Sequence, residues 1–323
     1  MLMFLVTILG LELSCSSSEQ NENTTVELSL TATPLDIDYS VSSNWEELYP
    51  QSNDLQDIWG ASSTNIFVVG NNGTILHFDG HIWESMESST NKQLLGVWGS
   101  SSSDVFAVGE EGTILHYDGF SWTSMHAVTT CTLNDVWGSS SSDIFVAVHG
   151  PGILLHYDGE MWETIQTTFD RPFLKVWGTS SEDVFAVGRN KVIVHYDGLD
   201  WTIVNQISDH TAILGAIWGS SSSSIFAAGY DGQLLHYNGK SWRKMNSGTR
   251  EPIHDLWGTS ENNIFGVGTH GTMIHYNGDY WVQPIKEIKS SLLGIWGNSP
   301  ANVYVVGENG LILHYSDNNN NSN

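Results

Sequence analysis

Basic residues are scarce in this chain of 323 residues. Only 11 Lys and Arg stand against 36 Asp and Glu. Six acidic residues precede residue 42 and one follows residue 316, so the region between keeps 29 acidic residues against all 11 basic ones. Such a surface cannot readily bind the phosphates of nucleic acids, and an anionic membrane would repel it. We therefore expect no nucleic-acid partner, and contact with a membrane only through a lipid anchor.

Cysteine is equally rare, with only Cys15 and Cys131 in the chain. Neither belongs to a CxxC pair or a similar metal-binding spacing, and two cysteines so far apart exclude a disulfide framework. Cys131 lies between two sequence repeats, where we expect a half-buried free thiol. The sequence predicts no metal site and no cofactor.

Long apolar runs are also absent. The longest, residues 1–14, is too short to span a membrane and ends in a small residue before Cys15, which is typical of a secretory signal. With the Ser-rich stretch after it, the segment resembles a bacterial lipoprotein leader, which implies lipidation of Cys15 and a place in the cell envelope. Glu12 and the lack of Lys or Arg before the run depart from that pattern, so secretion without an anchor and no export remain alternatives. We predict a leader over residues 1–15 and a disordered tether over 16–41.

What the chain has in abundance is repetition. Seven Trp-Gly pairs begin at Trp59, Trp98, Trp137, Trp177, Trp218, Trp257 and Trp296, spaced by 39 to 41 residues. A second series comprises Trp45, Trp83, Trp122, Trp162, Trp201, Trp242 and Trp281. Together they account for all 14 tryptophans, so none is left for a special site. A fixed period of this length is typical of a repeat architecture.

Each repeat contains four short apolar runs, A to D, separated by turn residues, which indicates a four-stranded antiparallel sheet. Runs B and C are apolar on both faces, as in sheets that stack on one another. The last repeat stops before its strand D, while the segment around Trp45 matches a strand D without a preceding repeat. We therefore predict an all-β fold, a seven-bladed β-propeller over residues 42–316 closed by the N-terminal strand, with a disordered tail over 317–323.

Other repeated residues have a structural explanation. One histidine recurs in each strand C: His77, His116, His156, His195, His236, His275 and His314. Metal ligands must converge within a few ångströms, whereas these lie one per blade, so we expect each to be held by hydrogen bonds to a neighbouring turn. For the Asp or Asn before strand B and the Asp-Gly or Asn-Gly after strand C, we expect hydrogen bonds to turn backbone.

The pattern [VI]F[AV]VG…G.ILH[YF][DN]G..W, over about residues 44–315, resembles the bacterial neuraminidase-type (BNR, Asp-box-like) and photosystem II assembly factor-like repeats. It is also similar to tectonin propellers, which implies lectin behaviour. A sialidase would need three converging arginines, and the chain offers only Arg171, Arg189, Arg243 and Arg250 without a recognisable catalytic Tyr/Glu arrangement. The basic patch expected of the assembly-factor relatives is not visible either.

Function should lie where the repeats differ. The B–C tips and the D–A connections vary most, and in a propeller these loops share one face. The predicted binding residues on that face are Asn72, Glu110, Glu111, His149, Arg171, Arg189, His210, Tyr230, Asp231, Arg250, His254, His270 and Glu308. Two residues before the strand A tryptophan, Asp57, Asp135, Lys175 and Asp255 are predicted to surround the channel mouth, either as a cation or polar-ligand site or as ordinary turn residues.

We therefore expect a non-enzymatic, exported, monomeric propeller that binds a protein or a glycan through its variable face. A purely structural scaffold in a larger assembly would have the same sequence features. The alternative is a carbohydrate-active hydrolase or lyase, suggested by the neuraminidase-like repeat. It requires two carboxylates at catalytic separation, for which Asp57, Asp135 and Asp255 are the candidates.

Overall fold

The computed structural model describes residues 45–205, 212–283 and 288–316. Within these residues the chain forms seven sheets, each of four antiparallel strands. The first strand of every sheet contacts the first strand of the next, and the circuit closes between the last sheet and the first. The fold is therefore a seven-bladed β-propeller, as predicted. We letter the strands of each blade A to D from the axis outward.

The strands follow one another in the order of the repeats. Strand D of blade 7 comes first, as β1 (Trp45–Leu48). Blades 1 to 3 are β2 (Leu55–Ser62), β3 (Asn65–Gly70), β4 (Ile75–Phe78), β5 (Trp83–Ser85); β6 (Leu94–Ser101), β7 (Asp104–Gly109), β8 (Ile114–Tyr117), β9 (Trp122–Ser124); β10 (Leu133–Ser140), β11 (Asp143–Val148), β12 (Ile153–Tyr157), β13 (Trp162–Gln166).

The remaining blades have the same plan. Blades 4 to 7 are β14 (Phe173–Ser180), β15 (Asp183–Gly188), β16 (Ile193–Tyr196), β17 (Trp201–Asn205); β18 (Leu214–Ser221), β19 (Ser224–Gly229), β20 (Gln233–Tyr237), β21 (Trp242–Asn246); β22 (Ile253–Ser260), β23 (Asn263–Gly268), β24 (Met273–Tyr276), β25 (Trp281–Val282); β26 (Leu292–Ser299), β27 (Asn302–Gly307), β28 (Ile312–Ser316). Short 3₁₀ turns occupy Asn71–Gly73, Glu110–Gly112, Tyr230–Gly232, Thr269–Gly271 and Glu308–Gly310. No helix in the described ranges is long and apolar enough to cross a membrane.

The hydrophobic core lies between the blades. One cluster packs Phe67, Val69 and Ile75 of blade 1 against Leu94 and Trp122 of blade 2, and equivalent clusters fill the other junctions. Strands B and C are therefore buried on both faces, which explains why they are apolar throughout. Cys131 lies in the core between blades 2 and 3 and is 3% exposed, so it is buried rather than half-buried.

The Trp-Gly pair of strand A connects each blade to the next. A Cβ atom on Gly99 of blade 2 would lie 2.7 Å from Cη2 of Trp59 in blade 1. The same contact recurs at all seven junctions, ending with Trp296 of blade 7 over Gly60 of blade 1. The glycine leaves room for the indole of the preceding blade, which explains why the two residues recur as a pair.

The N-terminal strand completes the last blade. Strand β1 pairs antiparallel with β28, with Trp45 opposite Tyr315 and Leu48 opposite Ile312. The ring is therefore closed by the first and last strands of the described chain, as the missing strand D predicted.

In six of the seven blades the strand C histidine bonds to the first residue of strand B; in blade 1, His77 Nε2 and Asn65 Oδ1 have no hydrogen-bond partner. His116 Nε2 lies 2.7 Å from Asp104 Oδ1, and Ser100 Oγ donates to the other oxygen of that carboxylate. The expectation that the Asp or Asn before strand B bonds to turn backbone was therefore wrong for these residues, whose partners are side chains. The carboxylate stands between serine and histidine, so the histidine cannot take the serine proton as in a Ser-His-Asp triad.

The loops lie on two faces. The amide of Glu110, in a B–C tip, donates to the carbonyl of Gln93, in a D–A connection, at 2.9 Å. These two loop sets form what we call the B–C face. On the other side, a Cβ on Gly119 in a C–D turn would lie 2.8 Å from Cβ of Ser103 in an A–B turn. Those two sets of turns form the C–D face, where strand D begins and strand C ends.

Candidate functional site

The B–C tips present different side chains on one backbone. In five blades the tip is a 3₁₀ turn whose second residue has a φ between 52° and 59° and is followed by glycine; these residues are Asn72, Glu111, Asp231, His270 and Asn309. Positive φ is uncommon for residues other than glycine. The D–A connection packs tightly against each tip: a Cβ on Gly112 would lie 1.9 Å from the carbonyl oxygen of Thr129. The conformation is thus set by the scaffold, while the side chain differs from blade to blade.

A basic corner, which we define as His149, Arg171 and Arg189, lies between blades 3 and 4. The carbonyl of Arg171 accepts a hydrogen bond from the amide of Gly152 at 3.0 Å, and the amide of Arg189 donates to the carbonyl of Pro172. Burial, and then the positive charge of Arg189, lower the pKa of His149. The structure therefore brings together three of the predicted binding residues from two tips and one connection.

Other predicted residues are tied to their own tip or connection. The recorded polar contacts join Asn72 to Asn53, Glu110 to the amide of Gln93, Glu111 to Lys92, His254 to Thr269, His270 to Glu251, and Glu308 to the amide of Ser291. Burial lowers the pKa of His254. Tyr230 and Arg250 are exposed, and His210 lies outside the described residues. The structure thus distributes these side chains around the face rather than gathering them at one centre.

Sequence reasoning missed a polar network that links blades 7, 1 and 2. Asn71 Oδ1 accepts hydrogen bonds from Gln56 Nε2 at 3.1 Å and Gln93 Nε2 at 2.7 Å. Asn71 also donates to Asp54, whose second oxygen accepts from the amide of Asn309. None of these residues repeats at a fixed period, so the comparison of repeats gave no signal for the network.

The predicted channel residues form a ring around the axis. A Cβ on Gly96 would lie 2.9 Å from Cα of Asp135 in the next blade, and a Cβ on Gly294 would lie 3.0 Å from Cα of Asp57. At these two junctions the ring positions are therefore in direct contact from blade to blade. We define the axial ring as Asp57, Gly96, Asp135, Lys175, Ala216, Asp255 and Gly294.

The three carboxylates of the axial ring join neighbouring blades. Asp57 Oδ2 accepts from the amide of Val97 at 2.8 Å, Asp135 Oδ2 from Val176 at 2.8 Å, and Asp255 Oδ2 from Ile295 at 2.9 Å. Each bond crosses one junction. At two of the three junctions the next ring position is a glycine, Gly96 or Gly294, and at the third it is Lys175.

One lysine stands among these three acids. Lys175 Nζ lies 3.1 Å from Asp135 Oδ1, and Asp57 and Asp135 are only 7% and 6% exposed. Burial raises the pKa of Asp135 to about 6 and that of Asp255 to about 7, because the Lys175 ammonium only partly offsets the cost of removing each carboxylate from water. Burial would lower the pKa of Lys175, but Asp135, Asp57 and Asp255 together raise it. Burial in the ring therefore makes these carboxyl groups harder to ionise than in water.

The arrangement of the axial ring is explained by its contacts between blades. In the described ranges no group of three or more His, Cys, Asp or Glu side chains has the geometry to hold a metal ion.

Two shallow grooves occur elsewhere, on the C–D side: one of about 280 Å³ between blades 3 and 4 beside Leu199, and one of about 320 Å³ between blades 1 and 2 beside Phe120.

The fold has many solved counterparts. A structure of YCF48 bound to D1 peptide matches with a TM-score of 0.71 and 17% identity over 86% of this chain and 96% of that one. YCF48 from Cyanidioschyzon merolae matches with a TM-score of 0.68 and 15% identity over 85% and 99%, and the WD40 β-propeller domain of Doa1 with 0.69 and 12% over 85% and 98%. At these low sequence identities the comparison shows only that the folds are similar. No family model and no curated protein sequence matches the chain.

Proposed function

We propose that this protein is a non-enzymatic, monomeric scaffold that binds a polypeptide segment on its B–C face. The observation that carries the proposal is the set of tips that share one backbone and differ in their side chains. Rigid elements that present variable loops are suited to recognition. The solved structure of a similar propeller, YCF48, with a D1 peptide supports a peptide as the class of ligand.

The basic corner sets the chemistry of the segment. Arg171 and Arg189 are exposed beside half-buried His149, in a protein with few other basic residues. A guanidinium binds a carboxylate through two parallel hydrogen bonds, so an acidic side chain or a C-terminal carboxylate of the partner fits this corner. Tyr230, 45% exposed at the tip of the next blade, offers an aromatic anchor for a neighbouring apolar side chain.

Selection from a displayed random-peptide library against the full chain tests this proposal. We expect enriched peptides to carry Asp, Glu or a free C-terminus, and to lose about tenfold or more in affinity for Arg189→Glu. Lys240→Glu, the same charge reversal in the C–D turn of blade 5, is the matched control and should bind normally. Peptides that bind Arg189→Glu and Lys240→Glu alike would refute the assignment to the B–C face.

The proposal also covers export. Residues 1–15 would serve as a leader with Cys15 lipidated, residues 16–41 as a tether and 317–323 as a disordered tail; all lie outside the described residues. The apolar run before Cys15 and the Ser-rich stretch after it support this. Incorporation of labelled palmitate into the full chain, lost in Cys15→Ala, is the expected result, and equal labelling of both would contradict it.

A glycan ligand and a carbohydrate-active enzyme are the competing outcomes. If the full chain binds to a glycan array and Arg189→Glu weakens that binding, the ligand of the B–C face is a glycan rather than a peptide. Hydrolysis of aryl glycosides that disappears in Asp135→Asn would instead assign catalysis to the axial ring. We expect no turnover, because each of its three carboxylates is already engaged with a backbone amide of the next blade.

A further inference from the structure

The C–D face carries a ring of exposed apolar side chains, one on each of five C–D turns. They are Ile82, Phe120, Met161, Leu199 and Tyr280, which are 53%, 91%, 57%, 85% and 46% exposed. Each stands one or two residues before the strand D tryptophan. Blade 5 has Lys240 and Ser241 at these positions instead. We call the five residues the apolar studs.

The turns hold these studs rigidly. Asp118 Oδ1 accepts hydrogen bonds from the amides of Phe120 and Ser121, both at 2.9 Å, and those bonds lower its pKa. Asp79, Asp158, Asp197 and Asn277 make the same pair of bonds in their blades. Phe120 and Leu199 are therefore kept in contact with water by a fixed backbone, which is unfavourable unless a partner covers them.

All five studs lie on turns between strand C and strand D, so they share the C–D face of the propeller. The N-terminal chain arrives at this same face, because strand D starts here and β1 begins at Trp45. The 44 residues that precede Trp45 include Cys15, the lipidation site of the proposed function, on which this step rests. Exposed apolar turns and a lipid anchor that reaches the same face point to a lipid bilayer.

We propose that the C–D face rests on a bilayer of zwitterionic lipids, with the apolar studs in the interfacial layer and the B–C face turned away from the membrane. The charge of the face excludes the alternatives. Acidic turn residues such as Asp118, Asp158 and Asp197 surround the studs, so two copies packed face to face would oppose like charges. An anionic bilayer would be repelled for the same reason.

Sedimentation of the full chain with phosphatidylcholine vesicles tests the proposal. We expect the double variant Phe120→Ser, Leu199→Ser to partition about fivefold more weakly than wild type, because its most exposed studs are lost. Tyr49→Ser, which removes an aromatic side chain 57% exposed on the B–C side, should partition like wild type. Vesicles rich in phosphatidylglycerol should bind less. Equal partition of the two variants would overturn the proposal.

A fluorescent label reports the orientation directly. In a Cys15→Ser background, an environment-sensitive dye on Glu160→Cys, in the C–D turn of blade 3, should brighten on phosphatidylcholine vesicles, whereas the dye on Glu110→Cys, in a B–C tip, should not. Brightening at residue 110, or at neither position, would overturn the proposed orientation. So would a dimer in the absence of lipid that Phe120→Ser dissociates, because a second copy would then cover the studs. Peptide binding is measured separately, so either proposal can fail alone.

Discussion

Replacing Gly60 by alanine tests whether the strand A tryptophans hold the ring together. A Cβ at Gly60 would lie 2.6, 2.7 and 2.9 Å from Cη2, Cζ2 and Cζ3 of Trp296, all atoms of the outer indole ring. Trp296 packs against Tyr304, with ring centroids 6.5 Å apart, so the indole must shift against its own blade or the junction must open. Overpacking of this kind costs about 1–3 kcal/mol, and we expect the free energy of unfolding to fall by about 2 kcal/mol.

The matched control is Gly215→Ala, the same substitution in strand A of blade 5. There the nearest atom to a new Cβ is the carbonyl oxygen of Ile253 at 3.9 Å. This variant should be neutral or more stable by up to about 1 kcal/mol, because alanine restricts the unfolded chain more than glycine does. Urea unfolding followed by circular dichroism measures both, and Gly60→Ala should also melt about 3–4 °C lower.

A second substitution identifies the cause. Trp296→Phe removes the outer ring that the new Cβ would strike, so Gly60→Ala should cost less than about 1 kcal/mol in that background, as a double-mutant cycle measures. If Gly60→Ala is as harmless as Gly215→Ala, or if its cost is unchanged in the Trp296→Phe background, the Trp-Gly contact does not stabilise the junction and the explanation of the repeated pair is wrong.

Two further predictions concern the polar contacts. The pKa of Asp255 is about 7 in the folded chain, against an ordinary value of 3.8. Between these two pH values the folded state binds more protons than the unfolded state. The free energy of unfolding should therefore fall as pH rises through that window. The variant Asp255→Asn lacks the titrating group and should not show this loss. The stability of wild type relative to the variant should therefore fall by a few kcal/mol between about pH 4 and pH 8. Urea unfolding at each pH measures the difference, and a constant difference would contradict the raised pKa. Asp104→Ala should cost about 1–2 kcal/mol of stability, because it leaves His116 Nε2 without its hydrogen-bond partner. Asn65→Ala should cost less, because His77 Nε2 and Asn65 Oδ1 have no hydrogen-bond partner. Equal costs in thermal unfolding would refute a stabilising role for the Asp104–His116 bond.

Periodic residues allowed the fold to be predicted. Trp-Gly at a period near 39 residues gave the number of blades, and the unmatched strand around Trp45 gave the closure. Both follow from repetition, because the same local packing is needed seven times. The hydrogen-bond partner of each repeated side chain was harder to predict. Asp104 of β7 bonds to His116 of the neighbouring strand β8, and a sequence pattern carries no information on distances between strands.

The candidate site was predictable only as a face. The sequence placed Arg171 and Arg189 on variable loops but could not show that they meet His149 between blades 3 and 4. It placed Asp57, Asp135 and Asp255 at a channel mouth, whereas their side chains lie against the next blade and bond to its backbone. The direction of a side chain at the axis depends on the twist and stagger of neighbouring sheets, which a sequence pattern does not encode.

The pairing of β1 with β28 has a consequence for folding. Strand β1 is made early, yet it has no partner until the other end of the propeller has been synthesised, because Trp45 pairs with Tyr315. Contacts between such distant residues form slowly, so closure of blade 7 should be the last and slowest step. A circular permutant that joins residue 316 to residue 45 by a short linker and begins in the connection before Leu55 would make every blade continuous in sequence. It should reach the closed ring sooner than the natural chain.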